Sequence, residues 1–142
     1  PHCRRQRQMC IRDRLNPAPA NKPTDILLEH TSWFIPNEVE FEEIYGEVFN
    51  EDNLLLFAND LKTNVVVTLG EKGCAYIKNN SVEIMNTDTV KAVDTTGAGD
   101  AFVGAFSFGV ASKLEIEECL KLALQKATDS VTKKGTQSSY KN

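Results

Sequence analysis

The sequence predicts an α/β domain built around a mainly parallel sheet. Strand-like and helix-like patterns alternate between Ser32 and Val131, and such alternation is typical of helices packed on a sheet. Residues 64–69 are rich in β-branched side chains and almost wholly apolar, which is expected of a strand buried on both faces. The predicted core is therefore layered, with this strand near its centre.

The first elements are predicted to be a loop, a short helix and a strand. The prolines of residues 15–23 remove backbone donors and restrict their neighbours, so we predict a loop that leaves a strand. Thr24 is a suitable N-cap for a short helix through His30. Residues 32–35 are mostly apolar and end at Pro36, which predicts a short buried strand.

The remaining elements are predicted from periodicity and turn residues. Apolar side chains at helical spacing predict helices, and Asn79 and Asn80 tolerate the positive φ of a tight hairpin. The predicted elements are a helix over 37–46, a helix over 53–61, the strand 64–69, a turn between Gly70 and Gly73, hairpin strands 74–77 and 82–85, a strand 90–93, a buried helix 101–111, and a helix 116–131 that ends before Gly135.

The composition is that of an ordinary globular domain. The 142 residues are 41% hydrophobic and 25% charged, and they suffice for one core. We expect no membrane partner, because no apolar run approaches the ~20 residues of a membrane span. The cysteines show no CxxC spacing, and Cys74 and Cys119 lie in apolar patterns. We therefore expect reduced thiols and a cytoplasmic location.

The net charge of −4 is unevenly distributed along the chain. All five arginines lie in residues 1–14, which carry a charge of +4, whereas the other 128 residues carry −8. Three interpretations of the basic segment compete: an arm for nucleic acid or anionic lipid, a metal site at His2, Cys3 and Cys10, or a foreign segment. The cysteine and histidine spacing matches no structural zinc pattern, and the negative body repels nucleic acid.

We favour the foreign origin, because residues 4–14 resemble a transposase sequencing adaptor translated in frame. Residues 1–14 are then expected to be disordered and outside the fold, and residues 15–142 form the domain.

The strongest chemical signal is the glycine-rich run of residues 93–102. Gly97 and Gly99 permit backbone conformations and close approaches that a Cβ would block. The run leads directly into a helix, whose free N–H groups and dipole favour an anion such as a transferring phosphoryl group. Asp100, at the helix start, could take a proton from an attacking hydroxyl. Considered alone, the motif favours a plainer interpretation, in which Asp100 is only the helix N-cap.

Five motifs in order reverse that preference. Together they resemble the ribokinase-like (PfkB) carbohydrate kinase family over nearly all of residues 15–140. The motifs are residues 16–20, a strand-end loop; 36–40, an Asn-Glu-x-Glu motif; 68–73, a nucleotide-contacting turn; 93–106, the second family signature; and 130–139, a C-terminal cation and adenine loop. The resemblance implies the C-terminal portion of a Rossmann-like three-layer α/β/α domain.

The resemblance also implies roles for individual residues. Asp100 would be the base acting on a primary sugar hydroxyl, and the anion hole would be formed by Gly97, Ala98 and Gly99. The nucleotide would be bound by Asn37, Thr68, Gly70, Gly73 and Gly99. Without the resemblance, Thr68 and the two turn glycines would be only a strand end and a turn.

The implied cofactors are ATP as co-substrate, Mg²⁺ and K⁺. Asn37 and Glu40 would organise the phosphates and a partly hydrated magnesium ion, although Glu40 could equally be a solvated acid on a helix face. The implied potassium ligands, several of them through backbone carbonyls, are Asp94, Thr96, Ser130, Lys133, Gly135 and Ser139. Asp94 alone could instead stabilise its loop as an Asx turn, and Leu124 replaces a small polar residue expected near adenine.

The activity implied for the full-length protein is ATP-dependent phosphorylation of the 5-hydroxyl of D-ribose, by a homodimer. A family member acting on another sugar or nucleoside is the first alternative. The second is an inactive nucleotide-binding fragment, since the family's Gly-Gly sugar motif and lid strands are not found in this sequence. We expect neither nucleic acid nor membrane as a partner.

Overall fold

A computed structural model describes residues 13–15, by their backbone, together with residues 31–61, 63–87 and 97–132. Two compact units are present. The first unit comprises residues 1–69 and 75–84, and the second comprises residues 70–74 and 85–142. No helix among the described residues is long and apolar enough to cross a membrane.

The sheet has five strands, in the order β1-β2-β3-β4-β5. The strands are β1 (Asp13–Leu15), β2 (Thr31–Phe34), β3 (Asn64–Thr68), β4 (Cys74–Lys78) and β5 (Ser81–Met85). β1, β2 and β3 are mutually parallel. The connections to β4 and β5 are too short for a parallel crossover, so these strands run antiparallel. The predicted α/β class is confirmed, with a sheet that is parallel on one side and closed by a hairpin.

β1 corrects one expectation about the start of the chain. Asp13 and Arg14 pair with β2 in parallel, so the expectation that all of residues 1–14 lie outside the fold is wrong for these two residues. The predicted loop 16–23, the helix 24–30 and the strand 90–93 lie outside the described residues.

Helices α1 (Glu38–Tyr45) and α2 (Glu51–Leu61) connect β2 to β3. Local signals set the bounds of α1: Asn37 is its N-cap, and Gly46, with φ of +86°, is its left-handed C-cap. Such a φ is tolerated best by glycine. α2 begins two residues before the predicted start, because the Asn50 side chain caps it by accepting the Asn53 N–H at 2.7 Å.

The core of the first unit is aromatic and β-branched. Phe41 lies at its centre, with ring centroids 5.2 Å from Phe57 and 5.5 Å from Phe49, both edge-on. Edge-to-face pairs at this spacing stabilise beyond their buried area. Residues 65–67 of β3 are all buried, which confirms the prediction of a strand covered on both faces.

The β4–β5 hairpin turns at Asn79 and Asn80, with φ of +53° and +59°. Positive φ at both central residues matches the twist of the flanking strands. The predicted hairpin is confirmed.

The second unit contains the helix pair α3 (Ala98–Ala111) and α4 (Ile116–Thr132). α3 ends in a Schellman motif, in which Leu114 N–H donates to Gly109 O at 3.0 Å and Lys113 has a φ of +61°. The two helices pack closely at Gly109, because a Cβ there would lie 2.8 Å from Cys119 Sγ. Glycine at this position therefore permits the close packing.

The expectation that α3 is buried nearly all round is wrong. Phe102, Phe106 and Gly109 are its buried residues, whereas Phe108 is 66% exposed. The buried residues recur at the spacing of a single helical face. The composition of α3 is apolar all round, but burial follows from which face finds a packing partner.

Cys74 and Cys119 are both buried thiols outside any disulfide, as expected. Burial raises the pKa of the Cys74 thiol from 9.0 to about 12, because a thiolate there would be desolvated.

We expect the free energy of unfolding to fall as pH rises above 9.0, because the unfolded thiol ionises there and the folded thiol does not until about 12. The contribution is fully present below pH 9.0 and is lost at up to about 1.4 kcal/mol per pH unit. Urea unfolding across this window checks it. Cys74→Ala should flatten the slope relative to the parent chain; equal slopes would contradict the assignment.

Candidate functional site

The N-terminus of α3 presents unpaired backbone donors. Gly97 is the N-cap, with φ of +81°, and no side chain of the described residues caps this end of the helix. The first helical hydrogen bond is the Ala101 N–H to Gly97 O, at 2.9 Å, so the N–H groups of the first turn have no partner within the helix. These groups and the positive end of the helix dipole favour an anion. The predicted anion hole at Gly97, Ala98 and Gly99 therefore has suitable backbone geometry.

The two glycines serve different purposes. The positive φ of Gly97 is the conformation expected for it. Gly99 is helical, and a Cβ added there would meet nothing within 4 Å. The packing of the described residues therefore does not require glycine at Gly99. This open space is compatible with the expectation that glycine lets a ligand approach the backbone closely, which stays a prediction.

Asp100 is the third residue of α3 and the acid of its first turn. The alternative in which Asp100 is the N-cap is wrong, because Gly97 holds that position. Asp100 is exposed and lies in the same helical turn as these N–H groups. It is placed where it could accept a proton from a hydroxyl that attacks an anion held at the same helix end.

A second set of predicted residues meets at the carboxyl ends of β2 and β3. The Thr68 N–H donates to Pro36 O at 2.9 Å, and Asn37 and Thr68 form an isolated parallel bridge. In open α/β sheets ligands bind at the carboxyl ends of the strands. The structure thus brings Asn37, Glu40 and Thr68 together within the first unit.

Asn37 and Glu40 form a reciprocal capping box. The Glu40 N–H donates to Asn37 Oδ1 at 2.8 Å, and the Asn37 N–H donates to Glu40 Oε2 at 2.9 Å. The alternative of a merely solvated acid at Glu40 is wrong, because its carboxylate holds the start of α1. An Asn followed three residues later by Glu is a capping signature, so the sequence contained this signal. The sequence held no comparable signal for the Pro36 carbonyl as the partner of Thr68.

The turn between Gly70 and Gly73 belongs to the second unit. Gly70–Lys72 is a single 3₁₀ turn, closed by the Gly73 N–H donating to Gly70 O at 3.1 Å. The two glycines have φ of +60° and +100°. Gly70 is exposed, whereas Gly73 packs against the backbone of Met85. The predicted turn is confirmed, with Gly70 the glycine open to a ligand.

Ser130 is the predicted potassium ligand that the structure describes. It lies in the last turn of α4, where backbone carbonyls lack helical donors. Its hydroxyl donates to Ala127 O at 2.8 Å, and the negative end of the helix dipole favours a cation near this turn. The other predicted potassium ligands lie outside the described residues: Asp94, Thr96, Lys133, Gly135 and Ser139.

Two further observations concern metal and nucleotide. Within the part of the chain that the structure describes, no three His, Cys, Asp or Glu residues converge to hold a metal ion.

Leu124, which replaces a polar residue expected near adenine, is 7% exposed in α4.

Comparison with known proteins agrees with these features. A sequence model of the pfkB family carbohydrate kinases matches residues 2–142. Deoxyribokinase from Salmonella typhi is 39% identical over 132 residues, which cover 89% of this chain and 43% of that protein. The chain therefore spans less than half of that relative. The family model's match includes residues 2–14, whose foreign origin stays a prediction.

Solved structures show the same fold. The chain matches the crystal structure of ribokinase from Thermotoga maritima with a TM-score of 0.78 and 34% identity, over 89% of this chain and 44% of that one. It matches Arabidopsis thaliana ribokinase complexed with ribose and ATP with a TM-score of 0.74 and 29% identity, over 82% of this chain and 39% of that one. Ordered motifs, fold and family match agree: this chain belongs to the pfkB family of carbohydrate kinases.

Proposed function

We propose that the intact protein transfers a phosphoryl group from ATP to the 5-hydroxyl of D-ribose, with Asp100 as the base. The observation that carries the proposal is the N-terminus of α3, which no described side chain caps, and where the first-turn N–H groups and the exposed Asp100 lie in one helical turn. A related structure that contains both ribose and ATP supports the choice of substrates.

The proposed chemistry needs both the Asp100 carboxylate and the first-turn N–H groups of α3. Asp100 takes the hydroxyl proton as the sugar oxygen attacks phosphorus. The N–H groups of the first turn stabilise the charge that develops on the phosphoryl oxygens. Gly99 has no Cβ, so the phosphoryl group can approach the backbone closely.

Magnesium and potassium remain part of the proposal. Glu40 uses Oε2 for the capping box, and its other oxygen could hold a water of a magnesium ion, which retains much of its hydration. Ser130, in the last turn of α4, could contribute to a potassium site. Magnesium would neutralise phosphate charge, while the chain's residues orient the nucleotide.

Two alternatives concern substrate and completeness. Another sugar of similar size, above all deoxyribose, is favoured by the 39% identity to a deoxyribokinase. The 142-residue chain by itself could instead bind nucleotide without turnover, because it matches only 43% of that relative. For the intact protein we also propose a homodimer in the cytoplasm.

A substrate comparison tests the proposal. ADP formation is measured with the intact protein and with the 142-residue chain, using ribose, deoxyribose or fructose, with Mg²⁺ and with or without K⁺. Ribose-dependent and K⁺-stimulated ADP formation by the intact protein is expected. Faster turnover of another sugar would reassign the substrate, and absence of sugar-dependent ADP formation would refute kinase activity. Turnover by the 142-residue chain would rule out the inactive fragment.

Glu40 offers a prediction that separates structural from metal-related roles. Gln can replace Glu in a capping box, so Glu40→Gln should keep stability within about 0.5 kcal/mol, whereas Glu40→Ala should lose about 1 kcal/mol. Both variants should raise the Mg²⁺ concentration needed for half-maximal activity of the intact protein. If Glu40→Gln leaves the Mg²⁺ requirement unchanged, Glu40 is only a helix cap.

A further inference from the structure

A hydrogen bond between two threonine side chains joins distant segments of the second unit. Thr87 Oγ1 lies 3.0 Å from Thr128 Oγ1, and the pair is partly buried although 41 positions separate the two residues in the chain. Thr87 follows β5 by two residues, and Thr128 belongs to α4. Most side-chain hydrogen bonds are made to backbone or water. This one instead fixes the chain just after β5 against α4.

On one side, the threonine pair is connected to the predicted nucleotide turn between Gly70 and Gly73. Gly73 packs so closely on the backbone carbonyl of Met85 that a Cβ would overlap it. The Gly73 N–H also closes the turn by donating to Gly70 O at 3.1 Å. Met85 precedes Thr87 by two residues, a reach of at most about 7 Å. A contact that holds Thr87 in place therefore restricts the position of the turn as well.

On the other side, the pair is connected to the helix that carries Asp100. α4 packs closely on α3, since a Cβ at Gly109 would lie 2.8 Å from Cys119 Sγ. Asp100 lies in the first turn of α3. The turn, Met85, both threonines and both helices all belong to the second unit. The Thr87–Thr128 hydrogen bond thus links the turn to the helix pair.

We infer that Thr87 and Thr128 are positioning residues, which hold the nucleotide turn at a fixed distance from the Asp100 end of α3. The inference rests on the proposed function, in which ATP extends from this turn to the N-terminus of α3. A ligand that contacts two elements binds more tightly when their separation is already set. Neither threonine needs to contact a substrate, because the pair acts through Met85 and α4.

Thr128→Val in the intact protein tests the inference, because valine keeps the shape of threonine and lacks the hydroxyl. The KM and the dissociation constant for ATP should both rise about 3- to 10-fold, the range expected of one lost hydrogen bond. The KM for the sugar and the turnover number at saturating ATP should stay within about twofold of the parent. A lower melting temperature with unchanged ATP constants would mean that the bond is only structural and would overturn the inference.

Three further variants test whether the effect comes from the bond between the two hydroxyls. Thr128→Ser keeps the hydroxyl and should restore the KM for ATP to within about twofold of the parent. Thr87→Val and the double variant should show the same rise as Thr128→Val, because each removes the same hydrogen bond. Rises that multiply in the double variant would show that the two side chains act separately, which contradicts the inference.

ATP binding distinguishes failure of this inference from failure of the proposed function. If the parent protein binds ATP but phosphorylates no sugar, the proposed function is refuted, while calorimetric titration of ATP into the parent and Thr128→Val still tests the threonine pair. Equal dissociation constants in that titration would refute the positioning role whatever the activity. A parent protein that binds no ATP would refute both.

Discussion

In the intact protein, Asp100→Asn is expected to lower the turnover number for ATP-dependent sugar phosphorylation by about 10²- to 10⁴-fold, the usual contribution of a general base. The amide keeps nearly the shape of the carboxylate but cannot accept the hydroxyl proton. The exposed position of Asp100 in the first turn of α3 means that the change disturbs no packing. Steady-state kinetics and ATP binding, measured on the same preparation, check the expectation.

Stability provides the necessary control for Asp100→Asn. An acid in the first turn of a helix stabilises it by about 0.3–1 kcal/mol, so the variant should lose some stability. Glu118 is an exposed acid in the first turn of α4, and Glu118→Gln removes a comparable charge without touching the proposed site. Glu118→Gln should keep full turnover. If Asp100→Asn retains turnover within about tenfold of the parent, Asp100 is a helix acid and not the base.

Elements whose signals lie within a few residues were predicted well. Asn37 and Gly46 mark the two ends of α1 as the sequence indicates, because a side-chain cap and a left-handed glycine act locally. Asn79 and Asn80 likewise define their turn through their own backbone conformations. The composition of β3 alone predicts its burial, because a strand with apolar residues on both faces is expected to be covered on both faces.

Features that depend on packing partners were predicted less well. Phe108 of α3 is exposed although most residues of that helix are apolar or small, because packing covers one face of the helix. α3 also begins three residues before the predicted Ala101, since Gly97 provides no side-chain cap by which a sequence pattern could mark the boundary. The pairing of Thr68 with Pro36 joins residues 32 apart in the chain, and no local pattern reports such a contact.

The candidate site also contains residues that local sequence signals identify and roles that such signals do not reveal. The proposed anion-binding end of α3 depends on local backbone geometry, so the glycines and Asp100 could be identified as candidates from the sequence. The function of Glu40 as a cap was encoded locally by its spacing from Asn37, but the resemblance to a kinase motif directed attention to phosphate and metal. Both roles are compatible, because the capping box engages a single carboxylate oxygen.

Gly73→Ala is expected to cost at least about 3 kcal/mol of folding free energy, because two penalties add. Gly73 has a φ of +100°, which strains a residue with a side chain. A Cβ at Gly73 would also overlap the Met85 carbonyl oxygen, which belongs to the backbone and cannot rotate away. Urea unfolding, with the slope of the transition checked for constancy, measures the loss.

Gly70→Ala is the matched control at the other end of the same turn. Gly70 also has a positive φ, of +60°, but a Cβ there would meet nothing within 4 Å. The expected cost is about 1–2 kcal/mol, from backbone strain alone. A Gly73→Ala cost within about 1 kcal/mol of this value would mean that the Met85 backbone moves aside.

The difference between Gly73 and Gly70 also determines which substitution can test a contact with the nucleotide. A loss of ATP binding in Gly73→Ala would follow from the damaged packing against Met85 and would assign no contact. Gly70→Ala adds a methyl group to an exposed turn while leaving the packing in place. If this turn faces the nucleotide, Gly70→Ala should raise the KM for ATP in the intact protein and leave the KM for the sugar unchanged. An unchanged KM for ATP would place the nucleotide away from Gly70.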